Sequence, residues 1–169
     1  VGGGARPNLF EVTIPSPPTG VTLPANFPIL CKAAALPASN VGSIDVPFRG
    51  RIFKVAGDRT FDTWQITVIN DQDFVIRTAF ETWMQTIAQY GDGSGATNPT
   101  SYMVNAFVNQ LKRGASTANA ATGAGLNVAK TYQFYDIFPT NISAIDLSYD
   151  TADTIEEFTV EFAVNYWYP

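Results

Sequence analysis

Phe61-Asp-Thr-Trp-Gln-Ile-Thr-Val-Ile-Asn70 decides the fold, together with the residues that follow it. Trp64, Ile66 and Val68 alternate with Thr63, Gln65 and Thr67. That period of two marks a strand with one apolar face on a core and one polar face turned outward. Past Asn70 the period changes: Ile76, Phe80, Trp83 and Ile87 recur at i, i+4, i+7 and i+11, an apolar helical stripe. With Asp71 or Asp73 as N-cap and Gly91 as C-cap, the spacing predicts a helix over about Asp73 to Gln89. Its stripe should lie on a sheet, leaving Arg77, Glu81 and Gln85 to solvent or to a partner.

Working outward, Phe158, Val160, Phe162, Val164 and Tyr166 alternate with Glu157, Thr159, Glu161 and Asn165, which predicts a long strand with an acidic-polar outer face. Tyr102 to Leu111 and Val128 to Phe138 have strand-like composition and should pair with one another. Between them, Gly114 to Asn127 is a run of small and polar residues that cannot bury enough to order itself, so it reads as a mobile hairpin tip. Gly91 to Thr100 reads as a flexible connector. Upstream, Ile44 to Phe53 with Gly50 inside suggests a pair of strands or a projecting loop, and Phe27 to Ala35 looks strand-like. Residues 1–28 hold Pro15, Pro17, Pro18, Pro24 and Pro28 and read as an extended arm around a short strand Asn8 to Ile14, suited to reaching a neighbour. The sum over residues 1–169 is one mainly β domain, a small β-barrel or β-sandwich with one packed helix.

Composition excludes more than it suggests. Among 169 residues only 15% are charged while 46% are hydrophobic, a balance that favours extensive contact with neighbours. The net charge of −5 argues against binding duplex DNA by broad phosphate neutralisation. The absence of His removes Ser-His-Asp and Cys-His chemistry and most zinc and haem ligation. The single Cys31 forms no intrachain disulfide and reads as a core residue. No stretch reads as a signal peptide or a membrane anchor.

The candidate chemistry is correspondingly thin. Asp146, Asp150, Asp153, Glu156 and Glu157 form the densest carboxylate cluster, but they sit in a turn-rich stretch without the central Gly of a calcium loop and read as turn and cap residues. Gly91, Gly93 and Gly95 follow a helix instead of linking strand to helix, so no phosphate cradle is expected. Arg49, Arg51, Lys54 and Arg59 interleave with Phe48, Phe53 and Phe61, with Asp58 and Asp62 nearby. This Arg and aromatic mixture suits protein contact anchors better than nucleic-acid stacking in an acidic chain. The closing Tyr166-Trp167-Tyr168 is either an interface anchor or the edge of the core. No catalytic residue, metal ligand or cofactor site is expected.

Several segments taken together, in their order and spacing, resemble the tail tube family of T-even-like contractile-tailed phages. They are Ala5-Arg-Pro-Asn-Leu-Phe10, Cys31-Lys-Ala33 with Ala35-Leu-Pro-Ala38, Val55-Ala-Gly-Asp-Arg-Thr-Phe-Asp62 before Trp64, and Val68-Ile-Asn-Asp71 before the helix. Phe138-Pro-Thr-Asn-Ile-Ser143, Asp146-Leu147 with Tyr149-Asp150, Thr154-Ile-Glu-Glu-Phe-Thr-Val160 and Tyr166-Trp167 complete the set. The resemblance implies a barrel subunit that forms hexameric rings stacked into a hollow tube inside a contractile sheath. The tube would hold a tape-measure protein, meet baseplate and terminator proteins, cross the host envelope and conduct viral DNA without binding it specifically. It would be assembled in the host cytoplasm, reside in the virion and need no cofactor. Two segments, Ser16 to Phe27 and Gly114 to Asn127, are longer than the family pattern leads one to expect.

On this resemblance Val41 to Ala56 corresponds to a ring-stacking loop, with Phe48, Arg49, Arg51, Phe53, Asp58 and Arg59 as contact candidates. Glu157, Thr159 and Glu161 are candidates for the lumen or another exposed polar face, and Arg77, Glu81 and Gln85 for the sheath-facing side of the helix. Two rivals stand beside it. One is the inner tube of a related contractile injection system, such as type VI secretion or a bacteriocin. The other is a β-sandwich ligand-binding module with Trp64, Trp83 and Tyr166 as an exposed aromatic platform.

Overall fold

The computed structural model describes residues 4–112 and 128–169. In chain order its elements begin with β1 (Phe10–Thr13), the single turn α1 (Phe27–Leu30), β2 (Cys31–Ala34), β3 (Asn40–Phe48), β4 (Arg51–Thr60) and β5 (Trp64–Ile69). They continue with α2 (Val75–Ile87), a 3-10 turn at Pro99–Ser101, β6 (Val104–Leu111), β7 (Val128–Ile142), β8 (Glu157–Ala163) and β9 (Tyr166–Tyr168). The main sheet runs β1-β6-β7-β8-β5-β2, with β9 added beside the first half of β7. All its pairings are antiparallel. The end strands β1 and β2 approach one another, so the sheet wraps most of the way around a shared core.

β7 is the pivot of this arrangement. Up to Ile137 it pairs with β6, and from Phe138 it pairs with β8. At the change, Tyr135 and Asp136 bulge opposite Asn105, and Asp136 adopts a φ of 53°. Asn105 Oδ1 accepts from the Asp136 amide at 3.4 Å, and Asn165 Nδ2 donates to the Asp136 carbonyl at 2.9 Å. A bulge re-aims a strand, and Asp enters the left-handed region at lower cost than most residues. One strand thereby serves both layers.

The core forms as the alternation requires. Trp64, Ile66 and Val68 lie opposite Phe162, Val160 and Phe158 on β8, and all six are at most 2% exposed. Trp64 stacks on Phe134 at 4.4 Å, and its indole N–H donates to the Ala35 carbonyl at 3.0 Å. α2 covers this layer with Ile76, Ala79, Phe80 and Trp83. Phe80 meets Phe158 and Phe162 edge-on, and the Trp83 indole donates to the Tyr102 carbonyl at 2.8 Å. Cys31 is buried here, and desolvation pushes its thiol pKa up to about 12.

Several boundaries differ from the sequence expectation, each for a local reason. α2 starts at Val75, not Asp73, because Phe74 takes a φ of 55°; Asp71 still serves this end, its Oδ1 accepting from the Val75 amide at 3.0 Å. Gly91 is not the cap: the helix ends at Ile87, and Ala88 turns extended. The connector after it is bonded to the last turn, with Gln89 N donating to Ser94 O and Ala96 N to Thr86 O. Gly95 passes so close that any Cβ there would collide with the Ile87 carbonyl. Phe27 to Ala35 is not one strand, since Pro28, with φ fixed and no N–H to lose, opens the turn α1 before β2. Residues 8–27 do not reach away from the body: β1 pairs with β6, and Val12, Ile14, Val21 and Phe27 are core residues. The long C-terminal strand breaks at Val164 and Asn165, so its alternation reverses; Trp167 turns inward and Tyr166 outward. The loop expected at 114–127 lies outside the described residues.

Candidate functional site

Among the described residues β3 and β4 pair only with each other, forming a two-stranded sheet separate from the main one. Arg49 and Gly50, with φ of 48° and 78°, make the two-residue turn, both in the left-handed region that a hairpin of this hand requires. Gly50 meets this demand freely; Arg49 meets it against a steric penalty, and its guanidinium lies 5.3 Å over the Phe48 ring. The register places Ile44 opposite Val55, Val46 opposite Phe53, and Phe48 opposite Arg51, so these six share one face. The other face carries Ser43 with Ala56, Asp45 with Lys54, and Pro47 with Ile52. Phe48 and Phe53 are each 65% exposed, and every described residue from 41 to 56 is exposed. Of the six candidates, Phe48, Arg51 and Phe53 sit on the apolar face, Arg49 on the tip, and Asp58 and Arg59 at the base. There Gly42 and Gly57 pack backbone to backbone through a bulge.

A second surface is the uncovered side of β5 and β8. Gln65 faces Glu161, Thr67 faces Thr159, and Ile69 faces Glu157, on the side of the sheet opposite the residues that α2 covers. Glu157 is exposed, and Thr159 and Glu161 are half-buried. Lys32 Nζ donates to Glu157 Oε2 at 2.7 Å, an exposed pair of small energetic weight. The three predicted residues are therefore brought together on one polar sheet face.

The helix surface is only partly free. Arg77 Nε donates to Glu81 Oε1 at 3.0 Å, its Nη1 to the Ser143 carbonyl at 3.1 Å, and its guanidinium lies over the Phe158 ring. The expectation that the polar side of the helix has no partner within the subunit is thus corrected for Arg77. Gln85 is exposed and Glu81 half-buried.

Sequence reasoning missed one surface and left a second, at Tyr166-Trp167-Tyr168, open between interface anchor and core edge. Leu147, Tyr149 and Ile155 are strongly exposed on the loop between β7 and β8, where the sequence suggested only turn carboxylates. Tyr135 stacks on Tyr166 at 4.8 Å with Tyr168 beside them, a cluster created by the β9 pairing and invisible to periodicity. The aromatic platform of a ligand-binding module is overturned: Trp64 and Trp83 are 2% and 0% exposed. Among the described residues no group of three or more His, Cys, Asp or Glu side chains converges as a metal site.

A small β body carrying an amphipathic, solvent-exposed hairpin that pairs with no other strand among the described residues has the character of a protein built for contact with others. Comparison with known proteins gives the particular kind. A family model described as phage tail tube protein matches residues 5–169, and the chain belongs to that family. The tail tube protein gp19 of Enterobacteria phage T4 is 38% identical over 166 residues, covering 98% of this chain and 92% of its own length. Two solved structures share the fold. A chain of the sheath-tube complex of an extracellular contractile injection system, in its extended state, has a TM-score of 0.65 at 12% identity, covering 98% of this chain and 90% of that one. A chain of the anti-feeding prophage baseplate, 6-fold symmetrised, has a TM-score of 0.69 at 10% identity, covering 99% and 96%.

Proposed function

We propose that this chain forms sixfold rings that stack into the tail tube of a contractile phage virion, acting structurally and without catalysis. The observation that carries this reading is the β3–β4 hairpin. An isolated two-stranded ribbon is marginal in water, and among the described residues nothing covers Ile44, Val46, Phe48, Phe53 and Val55 of this one. Such a face is stable only when another molecule lies on it, and the family supplies a second copy in the next ring. Phe48, Arg49, Arg51 and Phe53 make that contact; Asp58 and Arg59 set the hairpin's base.

The polar face with Glu157, Thr159 and Glu161 lines the lumen, where carboxylates repel DNA phosphates and keep the path non-adhesive. Gln85 and the free edge of Glu81 face the sheath, and Arg77 holds Glu81 in place. The tape-measure protein occupies the lumen during assembly in the host cytoplasm, and baseplate and terminator proteins meet the two ends. The identity to a phage protein supports a virion tube over the injection-system alternative.

Electron microscopy of the purified protein, alone and with tail-tube or baseplate seeds, tests this reading. Hollow sixfold rods are expected. Failure to extend competent cognate seeds refutes it, whereas heterologous contacts need a nucleus, so unseeded monomer is compatible with it.

A further inference from the structure

The hairpin needs a receptor, and the loop of residues 144–157 has the properties of one. Hydrogen bonds from Thr151 Oγ1 to the Ser148 carbonyl (2.9 Å) and from Thr154 Oγ1 to the Thr151 carbonyl (3.0 Å) hold it in successive turns. These turns frame an open groove of about 370 Å³, lined by Ile145, Leu147, Ser148, Thr154, Ile155 and Glu156. Leu147 and Ile155 are 81% and 73% exposed, and Tyr149 stands fully in solvent. The lining mixes apolar and acidic groups, which suits an occupant that is itself both apolar and basic.

Charge identifies that occupant. Residues 144–157 contain Asp146, Asp150, Asp153, Glu156 and Glu157 and no Lys or Arg. Among the described residues Asp146, Asp150 and Asp153 have no ion-pair partner, while Glu156 accepts from Asn70 and Glu157 from Lys32. In the hairpin Asp45 lies opposite Lys54, which leaves Arg49 and Arg51 at the tip as its excess positive charge beside Phe48. An Arg–Phe tip and a groove lined by Asp146, Glu156, Leu147 and Ile155, with Tyr149, Asp150 and Asp153 on the same loop outside the lining, are complementary in both charge and polarity.

We propose that the tip of the hairpin in one copy seats in the 144–157 groove of another copy, with Phe48 against Leu147 and Ile155 and with Arg49 and Arg51 among Asp146, Asp150 and Asp153. The inference rests on the tube reading and names the receptor that reading leaves open. It also accounts for Arg49, which a hairpin turn alone would not favour: at the tip its guanidinium lies over the exposed Phe48 ring, so the two side chains offer a partner one cationic and aromatic surface.

The test is charge reversal with rescue in seeded elongation. Arg49→Glu/Arg51→Glu and Asp150→Arg/Asp153→Arg each place like charges in the contact and should lower pelleted rod mass by about tenfold or more. All four substitutions together restore opposite charges and should recover the rods to within about threefold of the parent. A loop variant that elongates like the parent, or a fourfold variant no better than either double, overturns the pairing. A cross-link checks it in rods that do assemble: Arg51→Cys with Asp150→Cys, treated with a short bismaleimide, should give a ladder of covalent oligomers. Buried Cys31 contributes no background, and assembled rods without a ladder overturn the pairing while leaving the tube reading intact. A parent chain that extends no competent seed ends both.

Discussion

The ladders β3–β4 and β5–β8 are built from the same local code and have opposite fates. Both are antiparallel, both carry apolar side chains in directly opposed pairs, and in both the other face is polar or mixed. Yet the apolar face of β5–β8 is closed by α2 and Phe134, whereas that of β3–β4 is left exposed by the described residues. The difference teaches that apolar alternation specifies a face to be covered, not the molecule that covers it. In the body the chain supplies the cover; in the hairpin, on the proposed function, the polymer would.

Substitutions should separate the two ladders sharply. Phe162→Ala removes a fully buried ring that touches Trp64, Phe80 and Trp83 and should cost the monomer about 3–5 kcal/mol in urea unfolding. A loss below about 1 kcal/mol would erase the contrast from the side of the body. Asp136→Val places a β-branched residue in the left-handed bulge and should cost about 1–2 kcal/mol, while Asp136→Gly should be near neutral. Equal effects of the two would mean that the bulge is not what sets the turn between layers.

Cys31 sharpens the comparison through pH. The native state keeps the thiol proton up to about pH 12, whereas the unfolded chain releases it near the ordinary 9.0. Stability from this group is full below pH 9 and is lost as pH rises toward 12, at about 1 kcal/mol per pH unit. The difference in urea stability between the parent and Cys31→Ala, measured at pH 8 and pH 10, should move by that amount in Cys31→Ala's favour; no movement would mean the thiol is open to water. The smallest effect on the monomer belongs to Phe48→Ser with Phe53→Ser, within about 0.5 kcal/mol. The same pair should abolish seeded rods, and retention of rods would break the contrast from the side of the hairpin.

How much of this was legible in the sequence follows from the same distinction. The strand at Trp64 and the stripe of Ile76, Phe80 and Trp83 were readable because each is long, regular and satisfied locally. The hairpin was readable as an element, and its Arg and Phe content marked it as a contact, but not its full exposure. Ile44 and Phe53 have the same pattern whether they face a core or solvent. The path of β7 was not legible at all, because it depends on one aspartate adopting a conformation no period encodes. Leu147, Tyr149 and Ile155 were hidden by spacing that belongs to neither helix nor strand, so only their exposure in three dimensions marks them as a surface.

The passage of β7 from one layer to the other has a mechanical consequence. Layers held only by side chains can slide when pulled in opposite directions, because dispersion contacts re-form at a neighbouring register. Here the pull is carried along the peptide backbone of β7 itself, through Ile137 and Phe138, and the layers cannot shear without breaking the ladders with β6 and β8 together. The two layers of the subunit are therefore tied by one continuous backbone as well as by packed side chains.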